Sequence, residues 1–400
     1  MKKILFVSGN MGLGHVTRDI AIARELHHLL PGVEISWLGP ELACRILKDA
    51  GEKLVAQSAE WADENPVVAK AANGYRLNIM KYGLMLMKGF IHNMMLFGRV
   101  ARSETYDLVI GDECYGVYMG MAIWRKLTPA PFVVIQDYYA FSSVTKNPLD
   151  LAGVYFWNCV WEASLRRVIP SPVISIFFIG EKEDIPDDKI GFLLPRRSDA
   201  AKALGVMPVG YILSFNPSEC SDREQIRKSL GYGDEPLVVC TVGGTAVGRE
   251  LLELCGQAYI RARKVLSDLH MVLVCGPLIS PGSLSVPEGV EVLGYVPDLY
   301  KHLAASDLAI VQGGGTTTLE LTALRRPFLY FPLERHFEQQ GVIADRLARH
   351  RAGIKLRYYE TTPESLAEQI VTYVGKDVSY ASIPTDGALR IAEEVTVLLE

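Results

Sequence analysis

In residues 313–340, GGGTTTLELTALRRPFLYFPLERHFEQQ, three kinds of polar group follow one another at short spacing. Gly313, Gly314 and Gly315 let the backbone turn tightly and come close to a ligand. The pattern places Thr316 and Thr317 at the N-cap and first turn of a helix. Hydroxyls and free N–H groups there can hold a diphosphate, and the helix dipole favours its charge. Glu320 falls just inside that helix. A carboxylate there either bonds both hydroxyls of a ribose, as acidic residues do in dinucleotide sites, or only complements the dipole. Gln339 and Gln340 offer adjacent amides suited to sugar hydroxyls. The stretch reads, in order, as phosphate, ribose and sugar contacts, with no metal required.

Other site chemistries are missing. The chain has no G-x-x-x-x-G-K-[ST] phosphate loop, no H-E-x-x-H, no Cys/His zinc spacing, no G-x-S-x-G elbow and no D-x-D pair. The first glycine loop, SGNMGLGHVTR, places Thr17 where a dinucleotide fingerprint needs its last glycine.

Strand-like runs alternate with helix-period segments and so position these groups. KKILFVS leads through the glycine loop into HVTRDIAIARELHHLL, and VEISWL, YDLVIGD and PFVVIQD follow with helices between them. The pattern restarts with PLVVCTV, the loop GGTAVG and a helix from about Arg249, then MVLVCG, VEVLGYV, LAIVQGG, PFLYFP and AGIKL. Such alternation predicts α/β architecture with parallel sheets. Two strand–glycine-loop–helix openings predict two Rossmann-like domains facing each other. The expected division is a domain over 1–213, a polar linker over 214–235, a second domain over 236–377, and a C-terminal helix over 378–400 that can pack back on the first domain.

The 400 residues exceed one ordinary core. A 49% hydrophobic and 22% charged composition is that of a soluble globular chain, and a net charge of −5 argues against a chain-wide nucleic-acid footprint. Seven scattered cysteines, none in C-x-x-C, read as buried free thiols in a reducing compartment. MKKILFVSGN reads as a first strand, not a signal peptide, and no apolar run reaches the ~18 residues of a membrane span. A cytoplasmic protein is expected. Residues 76–102, rich in Met, Leu and Phe with Lys and Arg, and residues 154–168, aromatic with a basic end, break the alternation. Each reads as a core helix with a cationic edge or as an apolar, basic-rimmed face for lipid. On the second reading the protein is peripheral at the inner face of the membrane.

The 313–340 stretch resembles the donor-site signature of GT-B glycosyltransferases. It is most similar to the lipid-linked N-acetylglucosaminyltransferase of peptidoglycan synthesis and its relatives among the UDP-sugar transferases. In that family a Gly-x-x-Thr turn binds the diphosphate, a Glu three residues after the Thr binds the ribose, and a Gln-Gln pair binds the donor sugar; Thr317, Glu320, Gln339 and Gln340 match. SGNMGLGHVTR is similar to the family's N-terminal glycine loop, and His15 corresponds to its catalytic base. TVGGTAVG resembles the loop that starts the donor domain, and VEVLGYVPDLY the run in which an amide near Val296 reads the uracil edge. The end of LVIGDE resembles relatives in which an aspartate, here Asp112, orients the base. Gly14, Gly244, Thr245, Gly314, Gly315, Thr316 and His336 complete the donor-binding set that the resemblance implies.

The resemblance implies a GT-B fold with a cleft between the domains. The implied activity is inverting, metal-independent transfer from a UDP-sugar, UDP-N-acetylglucosamine first among them, to a hydroxyl acceptor, lipid-linked or not. No cofactor is expected, since the UDP-sugar is a substrate. The residues permit this chemistry. His15 can take the acceptor proton, because imidazole titrates near neutrality. Asp112 can bond its other nitrogen. The helix start at Thr316–Thr317 can take the leaving phosphate charge. A hydrolysing UDP-sugar epimerase and a non-catalytic sugar-nucleotide-binding subunit are the alternatives.

Overall fold

The computed structural model describes residues 1–9, 12–124, 127–165 and 172–400. Residues 10–11 of the first glycine loop and the basic end of the 154–168 segment, from 166 on, lie outside the described residues. The chain divides into two compact units. One holds residues 1–67, 79–214 and 384–400; the other holds 68–78 and 215–383.

The first unit starts with β1 (Lys3–Val7), β2 (Glu34–Leu38) and β3 (Lys53–Leu54). The next strands, β4 (Ala72–Asn73) and β5 (Arg76–Leu77), form a short antiparallel hairpin that belongs to the second unit. The first sheet resumes with β6 (Leu108–Asp112), β7 (Phe132–Gln136), β8 (Val173–Phe178) and β9 (Met207–Pro208). Its order is β3-β2-β1-β6-β7-β8-β9, with parallel pairing throughout. Every residue of β6 and β7 is buried, as expected for apolar runs in a parallel sheet covered on both faces.

The second unit carries β10 (Leu237–Thr241), β11 (His270–Val274), β12 (Glu291–Leu293), β13 (Leu308–Val311), β14 (Phe328–Tyr330) and β15 (Ile354–Lys355). They pair in parallel in the order β12-β11-β10-β13-β14-β15. In both sheets the order reverses beside the opening strand, between β1 and β6 and between β10 and β13. Open α/β sheets present their ligand crevice at the carboxyl ends of strands at such a point.

Three boundaries depart from the sequence reading. The segment expected as a linker over 214–235 is folded onto the second unit from Phe215 on. Its helix Arg223–Ser229 brings two guanidinium groups to one acceptor set: Nε of Arg223 and of Arg227 donate to the Ala305 carbonyl at 3.1 and 3.0 Å. Arg227 also pairs with Asp307 at 2.8 Å, and Arg223 pairs with the same carboxylate. A polar composition therefore hides a structured brace. Residues 68–78, expected within the first domain, belong to the second unit. The segment after 377 reaches its helix only at Gly387–Leu399. That helix lies along the helix Gly14–Leu29, and Ile391, Ala392 and Val395 enter the first unit's core beside Val16, Ile20 and Ala23.

Five of the seven free cysteines are buried. Among the described residues no helix is long and apolar enough to cross a membrane. Most of the 76–102 segment forms one helix, Ile79–Ser103. It buries Leu86, Phe90, Leu96, Phe97 and Val100. Its outer face shows Leu84, Ile91 and Met95 between the exposed Lys88 and Arg99.

Asp307 is the hub of the Arg223–Arg227 brace, and Arg227 is itself buried. Removing one partner strands a buried charge, so Asp307→Ala is expected to lower the second unit's stability by about 3 kcal/mol. A urea unfolding curve checks this, and an unchanged midpoint contradicts the role.

Candidate active site

In the first unit, the carboxyl ends of β1, β6 and β7 gather a buried polar cluster. Gly14 opens the first helix, with Leu13 at its N-cap, and His15 is its second residue. A Cβ on Gly9 would lie 2.5 Å from Cγ of His15, so only glycine there lets the ring settle against the end of β1. His15 Nδ1 stands 2.9 Å from Oδ2 of Asp112, the fully buried last residue of β6. Residues 97 apart in sequence thus meet as the resemblance implies.

Arg18, one helical turn beyond His15, completes the arrangement. Its Nε and Nη2 donate to the two Asp112 oxygens at 3.0 and 2.5 Å, and its Nη1 reaches Asp137 at 2.9 Å. Burial pushes the Asp112 carboxyl up, but Arg18 and His15 outweigh it and hold the carboxyl below its ordinary range. Burial, then the Asp112 charge, pushes Asp19 well up; burial, then Asp137, does the same for Glu113. Negative charge therefore concentrates on Asp112, beside the ring. Arg18 Nη2 also lies 2.8 Å from His15 Nδ1. A ring nitrogen cannot donate and accept at once, and Asp112 is the common acceptor of both groups. With the Nδ1 proton directed to Asp112, Nε2 is the ring nitrogen open to accept.

Sequence reasoning missed Arg18 and Glu113. Arg18 was legible as the residue three positions after His15, on the same helical face. Glu113 directly follows Asp112 and takes φ +44°, a strained value for a non-glycine residue. Its Oε2 stands 3.7 Å from His15 Nε2, and its Oε1 accepts from the Asp137 amide at 2.9 Å.

In the second unit, the segments after β10, β12, β13 and β14 carry the remaining expected residues. Gly244 is buried, and the Thr245 hydroxyl donates to the Val247 carbonyl at 3.2 Å, so it is engaged within its own loop. Gly313 takes φ +94° and turns the chain out of β13. The helix Gly315–Ala323 follows with Gly314, not Thr316, at its N-cap. Thr316 and Thr317 both fall in the first turn, half-buried. Thr318, which the pattern did not single out, turns its hydroxyl back onto the Gly314 and Gly315 carbonyls at 2.9 and 3.0 Å. Glu320 lies one turn further and is buried, and burial alone pushes its carboxyl up to about 8.

Gln339 and Gln340 sit on a π-helical turn, Glu338–Ile343, a form often found at functional sites. Each spends half of its amide on the 332–333 backbone. Gln339 Oε1 accepts from the Leu333 amide at 2.8 Å, and Gln340 Nε2 donates to the Pro332 and Leu333 carbonyls at 3.1 and 3.3 Å. Among the described residues, no hydrogen bond engages the Gln339 amino group or the Gln340 Oε1. His336 supports this turn, because its Nδ1 accepts from the Gln339 amide and its carbonyl from the Gln340 amide. Lys355 donates to the Gln340 carbonyl at 3.2 Å. Val296 is half-buried between β12 and the helix Leu299–Ala305, packed on the sheet core.

Residues 238–386 match the model of the Glycosyltransferase family 28 C-terminal domain. An uncharacterized glycosyltransferase of Methanosarcina mazei is 30% identical over 409 residues, covering 98% of this chain and 95% of that one. The chain belongs to the glycosyltransferases, and its residues 238–386 carry the family 28 C-terminal domain. The transferase of Clostridioides difficile named UDP-N-acetylglucosamine–N-acetylmuramyl-(pentapeptide) pyrophosphoryl-undecaprenol N-acetylglucosamine transferase is 27% identical over 393 residues, 94% of this chain and 82% of that one. Among solved structures, the calicheamicin glycosyltransferase superposes with a TM-score of 0.60 at 17% identity, covering 100% of this chain and 98% of that one. The glycosyltransferase therefore has the GT-B fold, with two Rossmann-like α/β domains.

Glu320 gives this glycosyltransferase a pH signature. Its folded value, about 8, stands above the ordinary 4.5. A raised carboxyl contributes stability that is fully present below the unfolded value and is lost as pH rises through the folded one. The loss runs at about 1.4 kcal/mol per pH unit across that window. Glu320→Gln cannot ionise, so it should gain stability relative to the parent between about pH 5 and about pH 8. Thermal midpoints at both ends of the range test this, and parallel midpoints would remove Glu320 from the buried site.

Proposed function

We propose that the glycosyltransferase is an inverting, metal-independent enzyme that moves a sugar from a UDP-sugar, with UDP-N-acetylglucosamine the first donor to try, to a hydroxyl on a lipid-linked acceptor. The observation that carries the reading is the 2.9 Å contact between His15 Nδ1 and Asp112; in the tautomer with its proton on Nδ1, Nε2 is the accepting nitrogen. In the proposed step the acceptor O–H proton passes to His15 Nε2. The acceptor oxygen forms its bond to the anomeric carbon as the bond from that carbon to the UDP oxygen breaks. Asp112 stabilises the imidazolium that forms. UDP leaves with the electron pair, and its charge is met by the N–H groups and hydroxyls at Thr316 and Thr317. Glu320 takes the ribose, Gln339 and Gln340 take the sugar, and the amide near Val296 takes the uracil. No cofactor is involved on this reading.

Support for a UDP-sugar and a lipid-linked acceptor comes from the name of the Clostridioides difficile relative. The outer face of the helix Ile79–Ser103, apolar between basic residues, suits contact with an anionic membrane surface near such an acceptor.

A donor screen scored by UDP release, with membrane lipid extract as acceptor, tests the assignment. UDP should raise the thermal midpoint while NAD does not, and EDTA should leave turnover nearly unchanged; rescue of a dead EDTA-treated enzyme by Mg²⁺ would overturn metal independence. His15→Ala is expected to lower turnover by ~10²–10⁴-fold while UDP affinity stays near the parent's. Asp112→Asn should act in the same direction and be non-additive with His15→Ala, since the two work as one unit. An active His15→Ala enzyme would remove His15 from the chemistry.

A further inference from the structure

The hairpin of β4 and β5 comes from the first half of the chain yet builds on the donor-domain loops. Gly74 takes φ +56° at the first of its two turn positions, where a type II′ hairpin turn uses glycine. Arg76 pairs with Glu334 as a parallel bridge. The Leu77 amide donates to the Glu334 carbonyl at 3.0 Å, and the Glu334 amide donates to the Tyr75 carbonyl at 3.1 Å. The loop after β14 thus gains an extra strand-like partner. That loop is the one whose residues 332 and 333 hold the Gln339 and Gln340 amides.

Tyr75 is the centre of the junction. It is fully buried. Its hydroxyl donates to the Phe331 carbonyl at 2.5 Å, with the Gln312 side chain beside it. Gln312 is the last residue before the three glycines, and its Nε2 donates to the Val247 carbonyl at 3.1 Å. The Tyr75 ring stacks on Tyr358, with centroids 4.5 Å apart and planes at 23°. Arg76 lies over the next ring, Tyr359, at 5.2 Å. One side chain therefore lies against the segments that follow β13, β14 and β15, all at the carboxyl edge of the sheet. Burial lifts the Tyr75 hydroxyl well above its ordinary value, so it remains a donor at any working pH. Such a network, satisfied and out of water, rigidifies what it joins.

We propose that Tyr75 is a positioning residue of the donor site, which holds the loop under the Gln339–Gln340 turn in register with the glycine turn at Gly313. The inference rests on reading that Gln pair as the donor-sugar contact. Tyr75 touches the Gln pair's support and not the Thr316–Glu320 helix start, so its loss should act on the sugar and spare the nucleotide.

The test compares Kd for UDP and for UDP-N-acetylglucosamine in the full chain. Tyr75→Phe keeps the ring stack and loses the hydroxyl. It is expected to weaken UDP-N-acetylglucosamine about fivefold, the effect of one net hydrogen bond, with UDP unchanged within about twofold. Gln340→Ala should show the same split, and the double variant should be clearly less than additive. Where Tyr75→Phe is poorly folded, Tyr358→Leu removes the ring stack at the same junction and should reproduce the split. If Gln340→Ala leaves UDP-N-acetylglucosamine binding intact, the sugar-pocket reading falls and this proposal with it. If Gln340→Ala weakens it but the Tyr75→Phe or Tyr358→Leu protein does not, or loses UDP equally, the proposal alone is overturned.

Discussion

A parallel sheet covered on both faces allows its polar groups one outlet. Its strands are apolar on both sides, so chemistry is confined to the edge where the strands end. At a reversal of strand order, successive helices leave toward opposite faces and the loops part. β1 and β6 meet this condition in the first unit, and β10 and β13 meet it in the second. His15 and Asp112 follow the first pair; the loop at Gly244 and the turn at Gly313 follow the second. The strands beneath them are almost wholly buried. Close-packed interiors of this kind do not yield by fractions of an ångström without cost, so each group inherits its position from the sheet.

Within that frame, the first-unit cluster solves a problem of buried charge. Asp112 has no access to water, and an isolated carboxylate there would take up a proton. Arg18 prevents this with a fork of donors that also reaches Asp137. The carboxylate then stays charged toward His15. Gly9 supplies the space in which the ring can turn its Nδ1 to that charge. Replacing Arg18 with lysine would keep the charge but lose the two-pronged geometry, and a single ammonium cannot reach Asp112 and Asp137 in this way.

Much of this was legible because it is local. Strand, glycine turn and helix start are consecutive in sequence, so the loop at Gly313 and the place of Glu320 could be read from patterning. The N-cap moved from Thr316 to Gly314 because the chain enters the helix as soon as Gly313 has turned it, a difference of the size at which helix ends are ordinarily uncertain. What escaped was non-local or disguised by composition. Residues 214–235 have the Pro, Gly and Ser of a linker, yet two arginines bind them to Asp307. The hairpin at 72–77 is too short to announce a sheet, and its partners lie more than 250 residues away. Arg18 reads as an ordinary helix cation until β6 and β7 bring Asp112 and Asp137 beneath it. Glu113 gives no signal beyond its neighbour, since a strained φ is visible only in three dimensions.

The position of the helix Gly387–Leu399 has a bearing on biosynthesis. It fills part of the first unit's core, beside the helix Gly14–Leu29, and Pro384 and Gly387 exchange backbone bonds with Tyr211. The ribosome makes this helix after all of residues 215–383. The N-terminal half therefore emerges, and waits through the synthesis of the entire second unit, with the seat of that helix uncovered. Domains commonly complete folding in order as they leave the ribosome. Here the order is partly reversed: residues 215–383 are all available before the first unit can close. Nascent chains stalled short of residue 384 would present Val16, Ile20 and Ala23 as an open apolar groove, a natural client surface for chaperones.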